Sequence, residues 1–259
     1  MKKYCTAKRL VVGLTLLFCV AAMPARAETL EEIRVGAANG DAKAQTELGY
    51  RYAYGRGMAR DDHLAFFWYR KAAEQGYAVA QTDLGYAYSS GQGVRINFER
   101  AAEWFRKAAD QGYDSAQANL AVLYLLGQGV EPNLKLALEW FLKSAAQGNA
   151  VAQYNLGVMY IEGRGVKEDF TRAREWFLKA AAQDNTDAQA SLGSVYASGK
   201  GVPRDLVKGY MWLSIATDRN NASAEKTLPL VAAHLTPQQI VQAKQMAKEW
   251  APTAPLSVK

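Results

Sequence analysis

Cysteine, histidine and surplus charge are all scarce in this chain once its first 27 residues are set aside. Both cysteines, Cys5 and Cys19, fall in that opening stretch. The rest can therefore make no disulfide, thiolate metal site or cysteine nucleophile. Two histidines, His63 and His234, leave little imidazole for catalysis or metal ligation. The formal charge of +6 is also misplaced, because Lys2, Lys3, Lys8, Arg9 and Arg26 supply most of it and no acid accompanies them. Beyond Ala27, 26 basic residues face 25 acidic ones. Nucleic-acid binding is dominated by phosphate neutralisation, and a balanced body gives no reason to expect it.

The opening stretch reads as an export signal. A positive start is followed by an apolar run from Leu10 to Met23 and then by Ala25-Arg26-Ala27, which puts small residues where a signal peptidase reads. The run is shorter than the ~20 residues a spanning helix needs. Residues 1–27 are thus expected to be removed, leaving no stable membrane insertion. The expected location is the periplasm of a Gram-negative bacterium, or outside the cell after secretion. A cysteine-free exported chain must then be stabilised by packing alone.

What the sequence has instead is repetition. Gly55-Arg56-Gly57 recurs at Gly91, Gly127, Gly163 and Gly199, always 36 residues on. Ala44, Gln45, Leu48, Tyr52 and Trp68 each head a column of five identical residues with the same spacing. Within a unit, Ala44, Leu48 and Tyr52 share one helical face. Gly49, Gly85, Gly157 and Gly193 (Ala121 once) lie beside it, so a neighbouring helix can come close. Each Gly-x-Gly ends that helix, and Asp61, Asn97, Asn133, Asp169 and Asp205 cap the next. The second helix carries Ala65, Trp68 and Ala72 on one face, and the tryptophans are expected in the core. It stops at Gly76, Gly112, Gly148, Asp184 and Asn220, residues that tolerate positive φ.

These features predict an all-α, right-handed superhelical solenoid of five helix-turn-helix repeats, at 40–75, 76–111, 112–147, 148–183 and 184–220. A capping helix is expected at 28–39 and two more within 221–251, at about 223–235 and 237–250, followed by a tail at 252–259. Thr236-Pro237-Gln238-Gln239 supplies a capping box for the last. Solenoid ends need such covers.

The pattern Ala-x-x-x-Leu-Gly-x-x-Tyr, then Gly-x-Gly-Val, then Ala-x-x-Trp-Phe-x-Lys-Ala-Ala-x-x-Gly resembles the Sel1-like repeats, relatives of the tetratricopeptide repeats. The likeness covers about residues 40–250. It implies a helical solenoid and an adaptor or regulator, often periplasmic or secreted, and this chain lacks the disulfides of the family's cysteine-rich branch. A solenoid is a scaffold on which function is grafted, so the site must be argued separately.

Catalytic readings fare poorly. No Gly-x-Gly continues as a phosphate-binding loop, and no strand precedes one. Asp61-Asp62-His63 has the elements of a metal site, yet Asp61 sits in the capping column. Ser223-Ala224-Glu225-Lys226 matches Ser-x-x-Lys without the partner motifs that chemistry needs. No carboxylate pair is singled out for glycoside hydrolysis. The chain reads as a non-enzyme, with no cofactor and no metal.

One surface stands out. Opposite the packing stripe of the first helices lie Lys43, Thr46, Tyr50 and Ala53, then Val79, Thr82, Tyr86 and Ser89. Ser115, Ala118, Val122 and Leu125 follow, then Val151, Tyr154, Val158 and Ile161, and finally Asp187, Ala190, Ser194 and Ala197. In tetratricopeptide-like solenoids such positions line the concave groove. Contiguous apolar surface marks an interaction site, so Tyr50, Tyr86, Val122, Leu125, Val151, Tyr154, Val158 and Ile161 are the candidate partner-binding residues. Superhelical curvature could instead bury them. The expected partner is a polypeptide; the alternative is a glycan, peptidoglycan or exopolysaccharide, stacked on Tyr50, Tyr54 and Tyr86. A glutamine column at Gln45, Gln81, Gln117, Gln153 and Gln189 is read as bonding a neighbouring repeat's backbone rather than a ligand.

Overall fold

A computed structural model describes residues 29–250; the expected export signal and the C-terminal tail lie outside them. Thirteen α-helices and no strand make up the described residues. Helix α1 (Leu30–Ala38) leads into five antiparallel pairs. The first helices are α2 (Ala42–Tyr54), α4 (Ala78–Ser90), α6 (Asp114–Leu126), α8 (Ala150–Glu162) and α10 (Thr186–Ser198). The second helices are α3 (Asp62–Glu74), α5 (Phe98–Asp110), α7 (Leu134–Ala146), α9 (Phe170–Ala181) and α11 (Leu206–Thr217), and α12 (Ala222–Ala232) and α13 (Pro237–Glu249) close the array. From α1 to α12 each helix packs on its chain neighbours, and α13 returns to pack on α11, which makes the fold an all-α solenoid. Helix α12 ends earlier than the sequence suggests, with Pro229 inside its last turn.

Local chemistry fixes the ends of each pair. Asp61, Asn97, Asn133, Asp169 and Asp205 each accept a hydrogen bond from the backbone N–H three residues on, at 2.8–3.0 Å. One such cap is worth ~1 kcal/mol. The two glycines of each turn serve different needs. Gly91 closes α4 with φ 79°, a left-handed cap. Gly93 has no room for a Cβ at all, because the Asp62 carbonyl of the preceding repeat lies where it would go. The second glycine is therefore a contact between repeats as well as a turn.

In three of the five pairs a ring of the second helix lies on a glycine of the first, Tyr69 on Gly49, Phe105 on Gly85 and Phe177 on Gly157. A Cβ at Gly85 would stand 2.7 Å from the Phe105 ring, and one at Gly49 would stand 2.8 Å from the ring of Tyr69. Phe105, Phe141 and Phe177 are among the largest fully buried side chains. This corrects the expectation for the tryptophans. Trp68, Trp104, Trp140 and Trp176 are only half-buried, and the core role belongs to the residue after each. A lysine three residues on covers each indole, Lys107 over Trp104 at 4.0 Å and Lys143 over Trp140 at 4.1 Å. Trp212 alone of the column is buried.

The glutamine column is buried and bonds backbone, as expected. Nε2 of Gln45, Gln81, Gln117, Gln153 and Gln189 donates to the carbonyl of the residue eight positions back, at the end of the preceding second helix. Their Oε1 atoms accept from Gln75, Gln111, Gln147 and Gln183 in the first four copies. The two side chains that share a repeat's interior make a direct comparison. Phe141→Ala should cost ~3–5 kcal/mol of unfolding free energy and Trp140→Ala only ~1–2 kcal/mol, read from urea denaturation of each variant. Equal losses would contradict the assignment of the core to the phenylalanine.

Candidate functional site

The residues of the first helices opposite the packing stripe divide by size. Thr46, Ala53, Thr82, Ala118 and Ala190, expected to line the groove, are buried instead. Successive first helices approach closely enough to cover small side chains. The Thr46 and Thr82 hydroxyls turn back to donate to the Ala42 and Ala78 carbonyls. Of the eight candidate residues, Tyr86 and Val151 are exposed, at 50% and 51%. Tyr50, Val122, Leu125, Tyr154, Val158 and Ile161 are half-buried. Val122 and Leu125 lean on the core around Phe141, and Tyr154, Val158 and Ile161 on the core around Phe177. Packing takes part of these side chains out of water and closes over none of the eight.

Tyr154 stands in the same column as Thr46, Thr82, Ala118 and Ala190, where its bulk cannot be accommodated between helices. Its ring packs 5.8 Å from that of Phe177 and forms one wall of a cleft of ≈ 320 Å³ between α8 and α10. Ile161 adds to the apolar wall; Ser191, Ser194 and Ser198 of α10 face it. Asp187 lies at one end of α10 and Lys200 just beyond the other, so a carboxylate and an ammonium bracket the cleft about 20 Å apart along the helix. Burial, followed by the nearby Asp187 carboxylate, pushes the Tyr154 hydroxyl above its ordinary range. Ser194 and Ser198 donate to carbonyls of their own helix, those of Ala190 and Val195. The arrangement is an elongated seat, apolar on one side and hydroxyl-lined on the other. Asp187 and Ser194 are in the groove set from sequence; Ser191, Ser198 and Lys200 are not, because only superhelical packing brings them to Tyr154.

The other sequence candidates resolve locally. Asp61 caps α3, Asp62 takes a bidentate contact from Arg60 at 2.9 and 3.0 Å, and His63 Nδ1 lies 3.0 Å from the Gly93 carbonyl oxygen. The three side chains thus point to different partners. Tyr50 packs on Tyr54 with ring centroids 4.5 Å apart, and Arg56 covers the Tyr50 ring at 4.7 Å. Of the three tyrosines named for stacking, these two are already engaged with one another.

A charged group on the first helices was missed altogether. Asp83 of α4 occupies the column held by Asn119 and Asn155, whose amides donate to the carbonyls of Ser115 and Val151. A carboxylate has no proton to give there, and burial pushes its pKa up to about 6. Its native state therefore holds a proton more tightly than the unfolded chain does. Stability falls as pH rises from about 4 through 6, and the full cost is present above that. Asp83→Asn should stabilise the fold by ~1–2 kcal/mol at pH 7.5 and by almost nothing at pH 4, measured by urea titration at both pH values.

Comparison with known proteins follows the same outline. The Sel1 repeat matches residues 42–77, 78–113, 114–149, 150–185 and 186–221 without a gap. A Sel1 repeat protein from Oxalobacter formigenes has a similar structure, with a TM-score of 0.71 and 31% identity over 85% of this chain and 93% of that one. A protective antigen of uropathogenic Escherichia coli superposes with a TM-score of 0.56 at 32% identity, over 85% of this chain and 55% of the other. In sequence, 64 residues are 44% identical to the secretory immunoglobulin A-binding protein EsiB of Escherichia coli, which is 24% of this chain and 13% of that protein. The chain thus spans well under two thirds of that relative. With five contiguous matches across more than two thirds of its length, the chain belongs to the Sel1 repeat family.

Proposed function

We propose that this chain is a non-enzymatic, exported protein–protein interaction scaffold that holds a segment of a partner polypeptide in the groove of its first helices. Sel1 repeat solenoids generally serve as such scaffolds. The observation that carries the reading is the cleft at Tyr154. Its apolar wall gives side chains a place to leave water, and its serines with Asp187 and Lys200 offer partners to the backbone and ends of an elongated ligand. Val151 and Val158 on α8 itself, and Val122 and Leu125 on the neighbouring α6, add apolar surface that is not fully buried. A role in the envelope, regulating a signalling or assembly process from the periplasm, fits a scaffold carried by an export signal.

Because Tyr154 packs on Phe177, a photoreactive residue belongs at exposed Val151 rather than at the tyrosine, with Lys179 on a second helix as the control. Crosslinking in the producing cell is expected to give a discrete protein adduct from position 151 and none from 179. Val158→Asp should remove that adduct while leaving the fold intact by circular dichroism. Adducts of equal strength from both positions would overturn the groove reading. Pelleting with purified cell-wall sacculi, in place of a protein adduct, would replace it with the glycan alternative. Export has its own check: the mass of the protein recovered from the periplasm or medium should correspond to a chain beginning at Glu28, and a full-length mass would refute cleavage.

A further inference from the structure

A second cleft, of ≈ 610 Å³, lies where α3 and α5 meet the loop between α4 and α5, away from the Tyr154 seat. Arg70, Arg95 and Arg100 reach it from these three segments, opposed only by Glu74. Trp104 and Val94 supply apolar wall, and Ile96 stands on the rim 58% exposed.

The repeats provide an internal control for what such a cleft ordinarily contains. In the next copy, Arg106, the equivalent of Arg70, donates to the Tyr124 hydroxyl and lies over that ring at 5.6 Å. In the two copies after it, the equivalents of Arg100 are Arg172 and Lys208. These pair with the capping Asp169 and Asp205 at 3.4 and 3.3 Å and lie over Tyr160 and Tyr196 at 5.7 Å. In each of these copies the cation is consumed by the repeat itself.

In this cleft the same partners are missing. The capping residue is Asn97, which is neutral, and Tyr88 is taken by an edge-on contact with Phe66 at 5.3 Å. Arg95 has no ion pair, ring contact or hydrogen bond among the described residues. Arg70 and Arg100 have only exposed contacts, to Glu74 at 3.7 Å and Glu103 at 4.0 Å, and such pairs are worth little. Three guanidinium forks are thus left to solvent beside exposed apolar surface.

We infer that this cleft binds an acidic peptide segment, one whose carboxylates flank an apolar side chain. Guanidinium forks match carboxylates two bonds at a time, and cations spread over three segments suit several carboxylates better than one compact anion. Ile96, Val94 and Trp104 seat the apolar side chain between them. The site shares none of these residues with the Tyr154 cleft, so either can fail without the other.

The probe is a fluorescein-labelled hexapeptide of alternating aspartate and leucine, followed by anisotropy at low salt. Binding is expected to weaken at least tenfold in Arg95→Glu/Arg100→Glu and less than twofold in Lys167→Glu/Arg172→Glu, the same charge reversal at the equivalent positions two repeats on. Ile96→Ser should weaken it severalfold with no change of charge. Equal losses from the two double variants, or no binding by the native protein, would overturn the site. An unaffected Ile96→Ser would overturn the apolar seat. Displacement by inorganic phosphate or an oligoglucuronate at lower concentration than unlabelled peptide would overturn the peptide as its ligand.

Discussion

The spacing between repeats hangs on one buried amide. A helix end leaves carbonyls without partners, and in a stack of helix pairs those ends are covered by the next pair rather than by water. Gln117 answers that need on both sides. Its Nε2 donates to the Ala109 carbonyl of the preceding repeat, and its Oε1 accepts from Gln147 at the end of its own repeat, at 2.9 Å. Gln147 also donates to the Gly112 carbonyl. Apolar packing alone would tolerate a slide of one pair over the next, since ring on glycine and alanine on alanine are forgiving surfaces. A buried amide is not, because any slide leaves an unpaired group costing ~1–3 kcal/mol. The last copy shows where the rule ends. Arg219 stands in the column of Gln147, bonds Asp184 at 2.6 Å, and leaves the Gln189 Oε1 unpaired among the described residues.

Most of this scaffold was legible in the sequence, since each rule it obeys is local and repeated five times. Asp61 and its equivalents had to be caps because only a short acceptor side chain serves there. Asp184 and Asn220 had to take positive φ because glycine does so in the other copies, and they do, at 66° and 61°. The assignment of the core within α3, α5, α7 and α9 was not so legible. Trp68 and Tyr69 recur with the same period, and both lie within reach of the Ala65–Ala72 stripe. The distinguishing signal was the lysine three residues after each half-buried tryptophan, absent after Trp212, where Ile215 stands instead.

The groove was legible only as a list of outward positions. How much of each side chain survives exposed depends on the angle between successive first helices, which no periodicity encodes. That angle covers threonine and alanine and leaves Tyr154 projecting, so the residue too large for its column makes the cleft. Asp83 and the arginine cleft follow the same logic. Asp83 stands where the next two copies have Asn119 and Asn155, and Asn97 stands where the last two have Asp169 and Asp205, which neutralise a neighbouring cation. In a chain whose framework repeats every 36 residues, individuality resides in such departures. They are found by comparing the chain with itself.

The two ends of the array are sealed unequally, and this bears on both clefts. At the start, α1 contributes only Ile33 and Ala37 as buried residues. At the other end, α11 is buried on several sides, with Tyr210, Met211, Trp212, Leu213 and Ile215 all inside, because α12 and α13 pack against it and Trp250 lies 5.2 Å from Trp212. In a solenoid, stability is close to a sum of repeat and interface terms, so opening proceeds from the end with the weaker interface. The Tyr154 cleft is built on α8 and α10, next to the firmly closed end, and presents a pre-formed surface that costs little to order on binding. The arginine cleft lies nearer the lightly covered end. Its contacts are charges on long side chains and a loop, which keep their affinity for carboxylates without needing a rigid wall. The two surfaces thus sit where the mechanics of the array suit their chemistry, shape recognition at the stiff end and charge recognition at the looser one.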